Sequence, residues 1–268
     1  MDLNTRFKKL VGYELNLQNP KTFNEKMQWM KLNGNLEAFS IYVDKYEVRQ
    51  FVKEKVGDDY LIPLIGVYQQ VDDINLLSLP NSFVMKATNG SGMNVIVPDK
   101  QSLNWDMARK KLQNWITMNY YLSSGEPCYK PLKGQIVIEE FIKDLSGDLK
   151  DYKFFCFHGE PTYVQVVSHK RVRRSAIYDL NWNKLKVRYA NRLLKRPVPK
   201  PKPLDKMVQI ASTLAKDFPF VRVDLYYTND RIYFGELTFV PNSGLKPFKP
   251  VKYDRIFGDH IDLCRCEK

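Results

Sequence analysis

Two carboxylates interrupt apolar, strand-like runs near the end of the chain, and they restrict how those runs can fold. Asp224 lies within VRVDLYY and Glu236 within IYFGELTF, and the polar residues 228–230 between them predict a hairpin turn. Because side chains alternate along a strand, Arg222 shares a face with Asp224, and Thr238 shares a face with Glu236. Burying such carboxylates is costly unless a cation compensates them.

The chemistry of this face allows two interpretations. Carboxylate and hydroxyl oxygens suit Mg²⁺, and Mg²⁺ commonly accompanies nucleotide phosphates. Alternatively, Arg222 and Asp224 form a structural ion pair, and Glu236 lies at a solvated edge of the sheet. The hairpin sequence alone leaves both interpretations open.

A second polar group of residues occurs earlier, in the stretch KATNGSGMNVIV that begins at Lys86. Its glycines, Gly90 and Gly92, lie between two apolar runs, SFVM and NVIV. Glycines allow backbone N–H groups to approach phosphate oxygens closely, and Lys86 supplies a positive charge. The alternative is an ordinary hairpin, since Asn-Gly is a common hairpin turn. The two standard glycine-rich phosphate motifs, G-x-x-x-x-G-K-[ST] and G-x-G-x-x-G, are not present.

The order of helical and strand-like patterns predicts an α+β protein in two lobes. Phe23, Met27 and Met30 recur at helical spacing and predict a first helix over 21–32, with a capping box formed by Thr22 and Glu25. Further helices are predicted within 43–57, 105–120 and 204–218, and strands within 58–70, 82–88, 93–98, 135–142, 152–169, 175–185 and 219–240.

The composition is that of a globular protein with excess positive charge. The 268 residues are 44% hydrophobic and carry a formal net charge of +12. This charge predicts a polyanionic partner: nucleotide phosphates, nucleic acid, an acidic polymer or an anionic membrane face. Residues 195–203, KRPVPKPKP, predict an extended exposed loop, because proline removes backbone donors and fixes φ.

We expect a cytoplasmic protein. No apolar run approaches the ~20 residues that span a bilayer, and the first residues show no apolar segment or cleavage site of a signal peptide. The four cysteines, Cys128, Cys156, Cys264 and Cys266, lack the spaced partners of a zinc site, and we expect free thiols. The three histidines are too far apart in sequence to indicate a zinc site.

Four long stretches resemble the TupA-like ATP-grasp family of polysaccharide-biosynthesis proteins, and nearly the whole chain fits the order of parts in the ATP-grasp superfamily. They are NPKTFNEKMQWMKL, DKYEVRQFVKEKVGDDYLIPLIGVY, LKDYKFFCFHGEPTYVQV and FPFVRVDLYYTNDRIYFGELTFVPNSG. The resemblance implies an α+β ATP-grasp fold in which two subdomains hold ATP between them. We expect a helical N-terminal region at 1–75, a subdomain with a Gly-rich lid at 76–150 and a subdomain with the metal site at 151–268.

The resemblance also implies two cofactors, ATP and Mg²⁺. Lys86 matches the strand lysine that contacts the nucleotide, and Lys45 matches the lysine at the start of the preceding helix. The Gly-rich stretch matches the lid over the phosphates. The segment from Glu139 matches the hinge, where backbone groups contact adenine and a carboxylate binds ribose. The full set of matched nucleotide-binding residues is Lys45, Lys86, Gly90, Ser91, Gly92, Glu139, Glu140, Phe141, Ile142 and Lys153.

The resemblance assigns the late hairpin to catalysis and metal binding. Arg222 matches a catalytic arginine, and Asp224 and Glu236 match two acidic magnesium ligands. One departure concerns Thr238, because many ATP-grasp ligases have asparagine there, and a hydroxyl is a weaker ligand than an amide carbonyl. Asn242, in VPNSG, could reach the metal instead.

The basic stretch SHKRVRR, residues 168–174, is a further candidate. Its residues Lys170 and Arg173 are candidate catalytic contacts that clamp an acceptor or a phosphate. The alternative for this stretch is a solvated charged turn.

For function, the resemblance implies an ADP-forming ligase of cell-surface polysaccharide or capsule biosynthesis. We expect it to activate a uronic acid carboxylate as an acylphosphate, which an amino acid or amine then converts to an amide. The expected partners are an anionic glycan, or a sugar acceptor linked to a nucleotide or lipid, and the inner membrane face is a candidate location. One alternative is a glycosyltransferase, although no D-x-D motif occurs. The other is a nucleic-acid-binding protein, although no RRM, KH or HTH signature occurs and no nucleic acid is expected.

Overall fold

The computed structural model describes residues 2–170 and 172–265. The described residues form eight α-helices and twelve β-strands. The helices are α1 (Leu3–Val11), α2 (Phe23–Asn33), α3 (Ser40–Val43), α4 (Val48–Val56), α5 (Trp105–Thr117), α6 (Tyr120–Ser124), α7 (Leu204–Ala215) and α8 (Lys252–Asp259). The strands are β1 (Leu64–Tyr68), β2 (Phe83–Ala87), β3 (Asn94–Val97), β4 (Ile136–Glu140), β5 (Asp151–Phe157), β6 (Glu160–Ser168), β7 (Arg174–Asp179), β8 (Arg188–Tyr189), β9 (Arg192–Leu193), β10 (Phe220–Thr228), β11 (Arg231–Thr238) and β12 (Phe248–Lys249).

The elements form two compact units. The central unit is Glu37–Lys143, and the terminal unit combines Met1–Leu36 with Asp144–Lys268. The three-part division predicted above, with boundaries after residues 75 and 150, stays a prediction. In the terminal unit the chain returns: α1 packs on Leu245, and α2 packs on α8. Within the described ranges, no helix has both the length and the apolar character that a membrane span needs.

The central unit is built on an antiparallel sheet with strand order β1-β4-β2-β3. Phe83 and Met85 of β2 are fully buried and pack with Leu112 of α5 in one apolar core. Lys86, the next residue, lies on the opposite face because side chains alternate along a strand. The alternation thus separates the apolar core of this unit from its charged face.

The terminal unit contains a six-stranded sheet with order β11-β10-β5-β6-β7-β9 and a two-stranded ribbon, β12-β8. Only the β7–β9 pair is parallel among these described strands. Two hairpins have tight turns at His158-Gly159 and Asn229-Asp230, and all four turn residues have positive φ. Such turns match the twist of the paired strands, and Gly, Asn and Asp residues tolerate this backbone conformation.

The two faces of this sheet differ in what covers them. Helix α7 packs on β5, β6 and β10 with its buried apolar side chains. The opposite face begins with an aromatic cluster, in which Phe23 of α2 lies 5.1 Å from Phe220 and 6.2 Å from Phe155 and Phe257, measured between ring centroids. Because side chains alternate along a strand, Lys153 lies on the same face as Phe155. This face is therefore aromatic at Phe155 and charged at Lys153.

The capping box predicted at the start of α2 is confirmed. The Thr22 hydroxyl accepts a hydrogen bond from the Glu25 N–H at 3.2 Å, and the Glu25 carboxylate accepts one from the Thr22 N–H at 2.9 Å. Such a cap contributes about 1 kcal/mol to helix stability. Asn24 then binds the buried Asp254 of α8 through its backbone N–H at 2.9 Å and its side-chain amide at 2.7 Å, which ties the two termini of the chain together.

Two predicted helices are shorter than expected, and side-chain hydrogen bonds explain both differences. The helix predicted over 43–57 begins at Val48, because the Asp44 carboxylate accepts the N–H groups of residues 46 and 47 and holds a turn there. The helix predicted over 105–120 is divided, because the Asn89 amide donates to the carbonyls of Trp115 and Met118, each at 2.9 Å.

The cysteines agree with the expectation of free thiols as far as the structure describes them. Cys128, Cys156 and Cys264 are free, and Cys266 lies outside the described residues. Burial raises the pKa values of the Cys128 and Cys156 thiols well above the usual range. These two thiols are therefore protonated at neutral pH.

The aromatic cluster generates a stability prediction. We expect Phe23→Ala to lower the free energy of unfolding by about 3–5 kcal/mol, because a fully buried ring is replaced by a cavity. The measurement is urea denaturation followed by far-UV circular dichroism. Leu32→Ala is the matched control, because Leu32 lies on the same helix and is 59% exposed; an equal loss in both variants would contradict the prediction.

Candidate functional site

The charged face of the terminal unit is organised by the buried guanidinium of Arg222. Its two nitrogens Nε and Nη2 donate to the two oxygens of Asp224, at 2.6 and 2.7 Å. Nη2 also donates to Glu236 at 3.2 Å and to the Thr238 hydroxyl at 3.0 Å. The structure thus brings together all four residues that the hairpin sequence indicated. The structural ion pair and the carboxylate pair are both present, and neither interpretation excludes the other.

Strand β5 adds a second cation to this group. The Lys153 ammonium donates to Asp224 and lies 3.3 Å from the Asp151 carboxylate. The His169 ring lies 3.0 Å from the same Asp151 carboxylate. We call Arg222, Asp224, Glu236, Thr238, Lys153 and Asp151 the Arg222 cluster.

Strand register places these side chains beside one another. Asp224 is opposite Glu236 on one side and Lys153 on the other, and Arg222 is opposite Thr238. A β-bulge follows Asp224, and Gly235 is the extra residue across from it. A Cβ atom at Gly235 would lie only 3.0 Å from the Asp224 carbonyl oxygen. Glycine therefore permits the close strand approach that aligns the two carboxylates.

Burial and charge pairing set the protonation of the cluster. Burial raises the pKa of Asp224, and the adjacent Arg222 and Lys153 oppose that effect. Burial alone would lower the pKa of Arg222, but the Asp224 carboxylate raises it above its ordinary value. For Asp151, the cost of burial is outweighed by Lys153 and the His169 hydrogen bond, and the pKa falls well below its usual range.

The central unit holds a second charged group around Glu139 of β4. Its carboxylate lies 2.5 Å from the Lys86 ammonium and 2.9 Å from a guanidinium nitrogen of Arg49 in α4. Arg49 also donates to the Ile62 carbonyl at 2.9 Å. We call Glu139, Lys86 and Arg49 the Glu139 cluster. The sequence prediction assigned Glu139 to the hinge segment that contacts the nucleotide, and the structure adds two cations to its surroundings.

The Gly-rich stretch forms the connection between β2 and β3, so it is a hairpin as well as a candidate phosphate loop. The Lys45 ammonium donates to the Gly90 carbonyl, which joins two of the predicted nucleotide-binding residues. Gly90 is buried, and a Cβ there would lie 2.7 Å from the Met93 methyl carbon. Ser91 and Gly92 are exposed, and Gly92 has φ of +74°. The tip of the hairpin thus presents small residues to solvent.

The remaining predicted residues lie at the ends of strands or in exposed turns. Glu140 is exposed, and its N–H donates to the Pro63 carbonyl at 3.0 Å; Phe141 and Ile142 follow it and are half-buried. Asn242 is exposed in a turn beyond β11, with φ of +52°. Lys170 and Arg173 are exposed before β7. Arg171, in the same basic stretch, lies outside the described residues.

Two residues of these clusters, Asp151 and Arg49, were not among the candidates from sequence. Asp151 had a usable signal, because it precedes Lys153 by two residues in DYK and shares its strand face. Arg49 had none, since its position on α4 resembles that of any exposed helical arginine. Its contact with Glu139 depends on packing between elements that are distant in sequence.

The oxygen donors of the Arg222 cluster fit one Mg²⁺ in kind. Asp224 and Glu236 contribute carboxylates from directly opposed positions, and Thr238 contributes a hydroxyl. Among the residues that the structure describes, no group of three or more His, Cys, Asp or Glu side chains could hold a metal ion. Mg²⁺ usually binds through one or two carboxylates and completes its shell with water and substrate phosphates. The donor set therefore suits a metal that is shared with a phosphate ligand.

A family model described as TupA-like ATPgrasp matches residues 25–262, which include both clusters and the Gly-rich hairpin. The chain belongs to the TupA-like ATP-grasp family. The predicted family and the predicted ATP-grasp fold are thereby confirmed. A comparison with curated proteins found no match to the chain.

Solved structures of ATP-grasp ligases show distant similarity to this family member. A D-alanine–D-alanine ligase from Bacillus anthracis is 16% identical, with 79% of this chain and 63% of that chain covered and a TM-score of 0.45. The enzyme of the same name from Helicobacter pylori is 16% identical, with 90% and 69% covered and a TM-score of 0.47. A phosphoribosylamine–glycine ligase from Thermotoga maritima is 14% identical, with 75% and 48% covered and a TM-score of 0.39. The chain spans less than two thirds of the first and third of these proteins.

The ion pairs of Asp151 generate a prediction about acid stability. The folded-state pKa of Asp151 lies below its ordinary value of 3.8, so its contribution is present above that value and is lost as the pH falls through the folded-state pKa. We expect Asp151→Asn to reduce stability at pH 7, and the difference from the parent protein to shrink as the pH falls below about 4. Urea midpoints between pH 7 and pH 2.5 measure this.

The control for this measurement is Asp106→Asn, because Asp106 is exposed on α5. Its variant should follow the parent at every pH. A difference between Asp151→Asn and the parent that stays constant with pH would contradict the assignment of these ion pairs.

Proposed function

We propose that the protein is an ATP-dependent carboxylate–amine ligase of cell-surface polysaccharide biosynthesis. It forms an amide between a uronic acid carboxylate of an anionic glycan and an amino acid or other amine, and it releases ADP and phosphate. The observation that carries this proposal is that the family match spans both charged clusters.

The charge balance of the two clusters supports the use of a metal nucleotide. The Arg222 cluster has three carboxylates for two cations, and an excess of negative charge favours a divalent cation. The Glu139 cluster has two cations for one carboxylate, and this excess favours phosphate. Mg·ATP contains both a divalent cation and phosphate groups.

In this proposal, the central unit binds the nucleotide. Lys86 and Lys45 neutralise phosphate charge, and the exposed backbone of the Gly-rich hairpin donates to phosphate oxygens. The segment 139–142 at the end of β4 contacts adenine and ribose. Lys153, in the terminal unit, is a further predicted phosphate contact.

Asp224 and Glu236 would hold Mg²⁺, with Thr238 and Asn242 as additional oxygen donors. Bound there, the ion would neutralise charge on the phosphate oxygens during transfer. Arg222 keeps the two carboxylates aligned and stabilises negative charge that develops at the reacting centre.

The chemistry proceeds in two displacement steps. A substrate carboxylate oxygen attacks the γ-phosphorus of ATP, and the bond to the β,γ-bridging oxygen breaks, which yields an acylphosphate and ADP. The amine then attacks the acyl carbon, loses a proton, and displaces phosphate. The protein acts by positioning and charge neutralisation, so it needs no covalent nucleophile. Lys170 and Arg173 are proposed contacts to the acyl substrate.

Glu236→Gln tests the metal role with little disturbance of the fold. The Glu236 side chain is 39% exposed, and glutamine keeps an oxygen that Arg222 can bind. We expect loss of Mg²⁺-dependent ADP release, while the urea midpoint stays close to that of the parent. Asp224→Asn is the contrasting variant: Asp224 is buried against two cations, so this change should also reduce stability. Full activity of Glu236→Gln would contradict the metal assignment.

Lys86→Ala tests the phosphate contact in the central unit. We expect it to weaken ATP binding at least about tenfold, while the protein stays folded because Arg49 still neutralises Glu139. Isothermal titration calorimetry with Mg·ATP measures the affinity. Lys111→Ala is the control, since Lys111 is exposed on α5 of the same unit; equal ATP affinity in both variants would exclude this role of Lys86.

The overall activity is tested by coupled ADP release over a matrix of uronic acid glycans and amino acids. We expect release only when a carboxylated sugar and an amine are both present. If a sugar nucleotide is consumed without ATP, the protein is a glycosyltransferase and the ligase proposal is wrong.

A further inference from the structure

Nearly all the excess positive charge of the chain lies in one segment. Residues 170–202, here called the basic segment, contain 12 of the 42 lysine and arginine residues but one of the 30 aspartate and glutamate residues. The segment therefore carries +11 of the net charge of +12. The other parts of the chain, both charged clusters included, are close to neutral.

The described cations of the basic segment lack acidic partners. Among the residues that the structure describes, no lysine or arginine within 170–202 forms an ion pair, whereas those of the two clusters do. Arg174 and Lys184 donate only to the backbone carbonyls of Leu193 and Leu194. The exposed cations of the segment are Lys170, Arg173, Lys184, Lys186, Arg188, Arg192, Lys195, Arg196, Lys200 and Lys202.

Strand pairing brings some of these like charges directly opposite one another. Arg174 of β7 is registered with Arg192 of β9, and Arg188 of β8 is registered with Lys249 of β12. Like charges at directly opposed strand positions are destabilising. An anion bound between them removes the repulsion, so both pairs indicate a surface that is completed by a negatively charged ligand.

The aromatic rings of the basic segment pack against other residues of the fold. Tyr178 and Tyr189 are 1% exposed, and Trp182 stacks on Tyr178 at 4.5 Å and donates its indole N–H to the Val198 carbonyl at 2.9 Å. Proteins that bind single-stranded nucleic acid commonly stack bases on aromatic side chains. In the basic segment, by contrast, charged side chains are what is available to contact a ligand. They follow an extended, proline-containing stretch of backbone, which suits a linear polyanion.

The basic segment also begins beside the Arg222 cluster. His169, the residue before it, contacts Asp151, and Asp151 lies 3.3 Å from the Lys153 that holds Asp224. A chain of side-chain contacts therefore joins the start of the segment to the proposed metal ligand Asp224.

We propose that the exposed cations described within 170–202 form the docking surface for a linear anionic polysaccharide that carries repeated carboxylates. This deepens the proposed function, on which it rests, by assigning the polymeric substrate to a surface separate from the nucleotide-binding residues. The surface binds the polysaccharide through several of its sugar carboxylates while another carboxylate of the same polymer reacts.

The test measures binding of polygalacturonate, a linear uronic acid polymer, to the full chain by calorimetry at several salt concentrations. We expect salt-dependent binding that falls about tenfold or more in the triple variant R192Q/K195Q/R196Q. These three side chains are exposed. The matched control is K9Q/K110Q/K111Q, which removes the same charge from exposed positions outside the segment and should bind as the parent does.

Thermal unfolding gives a second readout. Polygalacturonate should raise the melting temperature of the parent but not that of R192Q/K195Q/R196Q. Without the polymer, the triple variant should be at least as stable as the parent, because the repulsion between Arg174 and Arg192 is gone. A clear loss of stability would show that these cations serve the fold.

The competing ligands are outcomes of the same experiment. Tighter binding to vesicles with anionic lipid, or to a single-stranded oligonucleotide of equal charge, overturns the proposal in favour of a membrane or nucleic-acid surface. An equal loss of polygalacturonate affinity in both triple variants overturns the proposal as well, since binding would then follow net charge alone. Mg·ATP binding is measured in parallel: its absence from the parent refutes the proposed ligase function, whereas loss of polymer binding alone leaves that function standing.

Discussion

The proposed metal site depends on the hydrogen bonds and ion pairs that the Arg222 guanidinium makes. It is nearly buried, and its planar set of donors reaches Asp224, Glu236 and Thr238 from a single side chain. A lysine has the same charge but no comparable fork of donors, so it could not hold two strands in this alignment. Removing one partner from such a buried group commonly costs about 3–5 kcal/mol, because a charge is left uncompensated. The same contacts that stabilise the sheet therefore fix the two carboxylates at adjacent positions.

The two clusters have the same construction and opposite charge balance. In each, a buried carboxylate accepts from two cations: Asp224 from Arg222 and Lys153, Glu139 from Arg49 and Lys86. The Arg222 cluster adds two more carboxylates, whereas the Glu139 cluster adds none. Since a carboxylate already shared by two cations can give up one of them to an incoming anion, each cluster can exchange an internal contact for a ligand contact. Ligand binding then changes partners without leaving a buried charge unpaired.

Local rules predicted the parts of this site that lie within one strand or one turn. Alternation placed Arg222 beside Asp224 and Thr238 beside Glu236, and the capping box gave the start of α2. Contacts between distant segments were beyond such rules. Nothing in the sequence near Arg49 indicates Glu139, ninety residues away, and nothing near Phe23 indicates the ring of Phe257. The resemblance to a known family supplied the fold, but it did not show that Lys153 and Arg222 share one carboxylate.

The distribution of charge changes what the net charge of the chain implies. Taken as a total, +12 is compatible with nucleotide phosphates as the anionic partner. Lys86 and Lys153, two of the cations proposed to bind phosphate, are however paired with carboxylates in the clusters and add little to that total. The excess lies in the basic segment, where ten of the described cations are exposed and Arg174, Arg188 and Arg192 have like charges opposite them on the paired strands. Net charge therefore reports mainly on the basic segment, whose many separate positive charges fit an extended anionic ligand, and not on the two clusters, in which the cations are paired with carboxylates.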